Sequence, residues 1–264
     1  MKLRHRHTLP TLLIALCTLG FVACDIIPAD GRIEEMEEII PQKKVLLLDF
    51  TDQDCINCLQ AAAELEKLKG YYGDDLIPVS IHASLRRFPL RTLEGNEYEA
   101  HFLGADPVHP TGVIDGLATT FNFIQWGGLI LERFNKASSL DIDLYADCDN
   151  VSRTLTVRSD ITGLRNIDKA KLLLWIIEDK VIDFQLISTG VYDYEYLHRH
   201  VFRSSVNGTW GEEFSIKNEE KKQLTYNYTL NESWKSENIS IIAFVYNPDS
   251  NEVFDVAEIN LNNE

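Results

Sequence analysis

Apolar residues in the first half of the chain fall into continuous runs and helical spacings. Val45-Leu46-Leu47-Leu48 is a run of strand length that closes on Asp49-Phe50. After a short polar loop, Leu59, Ala62, Leu65 and Leu68 recur every third residue around Ala61-Ala62-Ala63, which predicts a helix stopped near Gly70. Residues 76–83 read as a second buried strand and 94–103 as a helix. A strand through Val113-Ile114 follows Pro110, and a last helix over 129–134 follows Gly127-Gly128. Near Ser138 the period changes from 3.6 to 2. Residues 141–149 alternate, with acids outward and Ile142, Leu144, Ala146 and Cys148 inward. Strand-like runs follow at 152–160, 171–177, 191–203, 223–230, 239–246 and 252–261. The last two flank Asn247-Pro248-Asp249-Ser250-Asn251, a turn sequence.

The N-terminus has a different character. Lys2, Arg4 and Arg6 precede a stretch from Leu9 to Val22 that is too short to span a bilayer. It ends Phe21-Val22-Ala23-Cys24, which resembles a bacterial lipobox, with Cys24 as the lipidated residue. Phe21 stands where leucine is preferred. Residues 1–24 are therefore read as a lipoprotein signal peptide and 25–43 as a tether. The chain has 264 residues and a formal charge of −16, which becomes −19 once Lys2, Arg4 and Arg6 leave with the signal. So acidic a chain offers phosphate no basic face, which excludes a nucleic-acid partner. Membrane attachment then rests on the lipid anchor.

Of the five cysteines, Cys17 leaves with the signal and Cys24 carries lipid, so Cys55 and Cys58 pair and Cys148 is left as a buried core thiol. Cys55 falls at the predicted helix start, where unpaired N–H groups and the helix dipole favour a thiolate. It is read as the attacking sulfur, with Cys58 resolving. Asp52 and Asp54 oppose thiolate formation at Cys55.

Strand, loop, Cys-x-x-Cys and helix in this order resemble the thioredoxin superfamily, whose Asp-Phe pair stands six and five residues before the first cysteine, as Asp49 and Phe50 do here. The resemblance implies that Asp49 is the buried carboxylate relaying protons for Cys58. It also implies that Pro110 is the cis-proline facing the cysteine loop, with His109 beside the sulfurs. Asp54 replaces the family's tryptophan, and Ile56-Asn57 its Gly-Pro. Taken together, the lipobox, Phe50-Thr51, Cys55-Ile56-Asn57-Cys58, Pro110 to Ile114 and His198 to Arg203 resemble the twenty-eight-kilodalton outer-membrane lipoprotein family.

The expected fold is an α/β thioredoxin-like domain over 44–138, followed by an all-β immunoglobulin-like sandwich over 139–264. The first functional reading is thiol–disulfide exchange with envelope proteins through Cys55, Cys58, Asp49, Pro110 and His109. The alternative is a non-catalytic surface lipoprotein with a structural disulfide, binding a protein or glycan through the sandwich. A third reading has Cys55 and Cys58 hold a metal with His109 or His82. No cofactor is expected. Tyr192, Tyr194, Tyr196, His198, His200 and Phe202 share one parity of a predicted strand, which reads as sheet packing, with sugar or metal binding as the alternatives. Arg86, Arg87 and Arg91 form a local basic cluster.

Overall fold

The computed structural model describes residues 42–83 and 88–262. Its centre is β1 (Val45–Thr51), buried along its whole length. A strand that is apolar on both faces must be covered on both. β1 pairs in parallel with β2 (Leu76–His82) and antiparallel with β3 (Thr111–Ile114), which turns into β4 (Ala118–Thr120). Three helices intervene. α1 (Cys58–Tyr72) buries Ala61, Leu65 and Leu68 and ends at Gly73, whose φ of 58° closes the helix through an N–H bond to the Lys69 carbonyl. α2 (Leu93–Leu103) starts at Thr92, whose hydroxyl accepts the Gly95 N–H at 2.9 Å. α3 (Trp126–Phe134) buries Trp126, Ile130 and Phe134.

The rest of the chain is β: β5 (Leu140–Asp149), β6 (Thr154–Gly163), β7 (Ile167–Glu178), β8 (Val181–Ser188), β9 (Val191–His198), β10 (Val201–Ser205), β11 (Glu212–Ile216), β12 (Lys221–Thr229), β13 (Ile239–Tyr246) and β14 (Val253–Asn260). Five of them join the first half in one nine-stranded mixed sheet, four along the order β14-β13-β7-β10-β2-β1-β3-β4 and β11 paired to β7 off that path. β12, β6 and β5 form a three-stranded sheet, and β8 and β9 a separate hairpin.

The expectation of a thioredoxin-like α/β domain followed by an immunoglobulin-like sandwich is corrected by this arrangement. The described chain is 49% strand and 20% helix, and strands from both sides of residue 138 share one mixed sheet. The physical reason lies in β7 and β13. Clean alternation marks β5, β6 and β12, but Leu172 to Ile177 and the whole of β13 are buried at every position. Such strands belong inside a sheet covered on both faces. Leu173, Trp175, Ile177, Ile242 and Phe244 join Leu46, Leu48, Phe50 and Tyr98 of α2 on one face. Leu172, Leu174, Ile176, Ile241 and Ala243 pack the other face against Leu155, Val157 and Ile161 of the three-stranded sheet. Val45 and Leu47 meet α1 and α3.

The strand predicted over 191–203 is two strands. The chain breaks at Arg199 and His200, the latter at φ 54°, and the aromatic stripe divides with it. Tyr194 stays exposed on the hairpin, His198 and His200 are buried, and Phe202 enters the core. Cys148 is half-buried against the core of the three-stranded sheet, and burial pushes its thiol pKa up.

Candidate functional site

The site forms where β1 runs out. In register, Asp49 lies between Ser80 of β2 and Gly112 of β3. A Cβ on Gly112 would stand 2.3 Å from the Trp126 ring, so only glycine admits that indole here. Asp49 is 1% exposed, and its Oδ1 has no hydrogen-bond partner among the described residues. Burial pushes its pKa up to about 7, against the pull of the His109 and His200 charges.

Beyond β1 the backbone turns sharply. The Asp52 carboxylate accepts the Asp54 N–H at 3.1 Å, and the Asp52 carbonyl accepts the Cys55 N–H at 3.2 Å. Cys55 and Cys58 form a disulfide with their Cα atoms 5.4 Å apart. Cys58 opens α1 and is buried. Cys55 stands just before the helix, partly exposed, and its Sγ accepts the Cys58 N–H at 3.2 Å. The His109–Pro110 peptide is cis, and Thr111 beside it pairs with Phe50. His109 is hydrogen-bonded through Nε2 to Glu99 of α2.

The hairpin of β8 and β9 lies over this loop. Gln185 donates its amide to the Cys55 carbonyl at 3.1 Å, and the Leu186 N–H donates to the Gln53 carbonyl at 2.8 Å. Buried Gln53 answers with its own amide, donating to Asp183 Oδ1 at 3.0 Å and the Phe184 carbonyl at 2.9 Å, while its Oε1 accepts the Leu90 N–H at 3.1 Å. The Tyr192 hydroxyl donates to Asp54 at 2.7 Å.

Beneath the hairpin is a cavity of about 160 Å³. Asp49 and Cys58 line it together, with Glu66 of α1, His82 of β2, His198 of β9 and His200 at the strand break. The rings of His82 and His198 meet edge to face at 5.1 Å. Burial pushes His82 well below the usual histidine range and His198 down to about 4, so both are neutral at neutral pH. Among the described residues no three His, Cys, Asp or Glu side chains converge as a metal set. The two sulfurs are bonded to each other and His109 is engaged with Glu99, so the set of the third reading, Cys55 and Cys58 with His109 or His82, is not assembled among the described residues.

With this geometry in view, comparison with known proteins assigns the chain. The family described as Outer membrane protein Omp28 matches residues 105–264, more than half of the sequence. This chain belongs to the Omp28 outer membrane protein family. It is therefore a protein of the outer membrane. Among the described residues no helix is long and apolar enough to cross a membrane. The fold is shared with HBP35 of Porphyromonas gingivalis, 16% identical with a TM-score of 0.69 over 84% of this chain and 76% of that one. A protein of Agrobacterium tumefaciens is 14% identical with a TM-score of 0.56 over 85% of this chain and 97% of that one. A domain of the outer membrane lipoprotein Omp28 from P. gingivalis is 27% identical over 47% of this chain and 89% of that domain, with a TM-score of 0.36. No curated protein matches the chain.

The stretch that defines Omp28 membership begins after the cysteine pair, so Asp49, Cys55 and Cys58 lie outside it, while His109, Pro110, Gln185 and His200 lie within it. Cys24, the expected lipidation site, and Arg86 and Arg87 lie outside the described residues. Arg91 bonds Asn96 at 3.2 Å. Sequence reasoning brought Asp49 and Cys58 into one site but missed Glu66, Gln53 and Gln185. Nothing in their local pattern separates them from ordinary polar residues of a helix, a loop and a strand.

Proposed function

We propose that this Omp28 family protein carries out thiol–disulfide exchange with envelope proteins. Cys55 is the attacking sulfur, Cys58 the resolving sulfur, and Asp49 the acceptor of the Cys58 proton. One observation carries the reading: a fully buried carboxyl group with a bare oxygen opens into the same cavity as the buried sulfur. A disulfide that merely staples a loop gains nothing from such a group, because an ionised carboxylate without partners is costly to bury. A carboxyl held up at about 7 can take and return a proton at neutral pH. Cys55 is the more accessible sulfur and sits against the first N–H groups of α1, which stabilise a thiolate. In this reading the loop of His109 and Pro110 forms the wall against which a client segment rests.

A second reading is supported by the hairpin, whose Gln185 amide holds the Cys55 carbonyl and so pins the disulfide loop. Here the disulfide is structural and the protein binds a protein or glycan at the cell surface. The reduction potential of the Cys55–Cys58 pair separates the two. It is measured in glutathione buffers on a Cys148→Ser background, counting alkylated thiols by mass. A value between about −120 and −270 mV is expected for exchange. A value below about −300 mV marks a structural disulfide and overturns the exchange reading.

A further inference from the structure

Asp49 has no direct exit. It is fully buried, so a proton taken from Cys58 must cross the cavity to reach solvent. The groups facing Asp49 are few. From α1 come Cys58 and Glu66, from β2 His82, and from β9 Tyr196 and His198. The strand break adds Arg199 and His200, and His109 lies ahead of β3. Most of these side chains hold a single protonation state or lie away from the cavity mouth. Burial keeps His82 and His198 neutral and holds the Tyr196 phenol above its usual range, while an arginine keeps its proton. His109 is tied to Glu99 and is not part of the cavity lining.

Position singles out Glu66 and His200, the hydrogen-bonded pair that lines the cavity and reaches its mouth. His200 Nε2 lies 3.0 Å from Glu66 Oε1, and Glu66 is 42% exposed, so this pair reaches from the cavity to water. The backbone at His200 is held on both sides, while the ring is anchored through Nε2 and its Nδ1 has no hydrogen-bond partner among the described residues. The His200 N–H donates to Asp179 Oδ1 at 2.8 Å, and Asp179 Oδ1 lies 3.6 Å from His200 Nδ1. The His200 carbonyl accepts the Ser80 N–H at 2.7 Å, and Ser80 is the register partner of Asp49. His200 is thus pinned to the strand beside the buried carboxyl. Its bond to Glu66 holds that carboxyl below the usual range, and its charge acts on Asp49 as well. A cavity of this volume, with polar side chains along one part of its lining, has room for a short water chain between them.

We infer that the Glu66–His200 pair is the proton outlet of the Asp49 cavity, passing to bulk water the proton that Asp49 takes from Cys58. The inference rests on the exchange reading above. When the reduced protein meets a client disulfide, the Cys55 thiolate attacks one client sulfur, the client S–S bond breaks, and a client thiolate leaves. Cys58 then gives its proton to Asp49, and its sulfur attacks Cys55. The mixed disulfide breaks, and the second client thiolate departs with the electron pair. Two electrons have passed from the dithiol to the client. The proton on Asp49 leaves through His200 and Glu66. Glu66 and His200 touch neither sulfur nor client in this scheme; they act through Asp49.

The test uses the full chain on the Cys148→Ser background, with glutathione disulfide as the probe. Collapse of the Cys55–glutathione mixed disulfide is followed by quenching and mass from pH 5 to 9. Glu66→Gln and His200→Gln are each expected to slow collapse at pH 7 by about tenfold or more and to flatten its pH dependence. In parallel, carbon NMR titration of Asp49 in the oxidised protein reads the coupling without any turnover. His200→Gln is expected to move the Asp49 midpoint upward, since a favourable positive charge is lost. Collapse rates and pH profiles matching the parent in both variants overturn the outlet, as does an unmoved Asp49 midpoint. A parent protein that never resolves the mixed disulfide overturns the exchange reading itself, and the outlet falls with it.

Discussion

Asp49 and Asp115 are two buried carboxylates in the same half of the sheet, and the protein treats them in opposite ways. Asp115 follows β3 directly and is completely enclosed. Its Oδ1 accepts the Leu46 N–H at 3.0 Å, and its Oδ2 takes Lys43 at 3.0 Å and Arg133 at 2.9 Å. Arg133 also reaches Glu252 at 2.9 Å, so the cluster ties the entry of the chain, α3 and the approach to β14 together. Asp49 is equally enclosed yet has a bare oxygen and a cavity in front of it. One carboxylate has a partner on each oxygen and two cations beside it, as a structural charge must. The other has been left able to change its protonation state. The contrast separates a clasp from a candidate reactive group more cleanly than burial alone does.

The largest effect is expected from breaking the clasp. Asp115→Asn leaves Lys43 buried beside a neutral amide and should lower stability by about 3–5 kcal/mol, read from urea unfolding midpoints. Asparagine tolerates the φ of 49° at this position, so the loss reports the charge and not the backbone. Asp49→Asn should do the reverse. In the folded protein Asp49 holds its proton up to about 7, whereas the unfolded chain releases it near the ordinary carboxylate value. Between about pH 4 and 7 the folded state therefore binds the extra proton, and stability falls as pH rises. The asparagine variant should gain up to about 4 kcal/mol at pH 8 and nothing below about pH 4, measured by denaturation across that range. An amide variant no more stable than the parent at pH 8 would erase the distinction between the two carboxylates. The smallest effect is expected at the hairpin. Gln53→Ala removes three hydrogen bonds that join the cysteine loop to β8 and to Leu90, and should cost about 1–3 kcal/mol by the same unfolding measurement.

What could be read from sequence was what the chain writes locally. β1, the cysteine pair at the head of α1, the helix near Leu65 and the strand over 239–246 all announce themselves within a dozen residues. Asp49 was legible because it ends an apolar run at a fixed offset from Cys55. The global arrangement was not. β10 enters the sheet through a pairing of Val201 with Ser80, more than a hundred residues apart, and no period records that. The strand break at His200 was hidden because Tyr192 through Phe202 keeps one parity across it. Gln185 was hidden for a related reason: β8 mixes polar and apolar residues without a clean period, since it covers a loop instead of packing a core.

The position of β10 also sets an order of events during export. The strands that flank the cysteines leave the translocation channel first, while the segment that lies between β2 and β7 is encoded far downstream. Until residues 201–205 arrive, the outer edge of β2 is open, and strand edges left open pair with other chains. The hairpin over the disulfide loop, residues 181–198, arrives just before them. For that interval the loop of Cys55 and Cys58 lacks the cover that Gln185 and Leu186 give it in the folded chain.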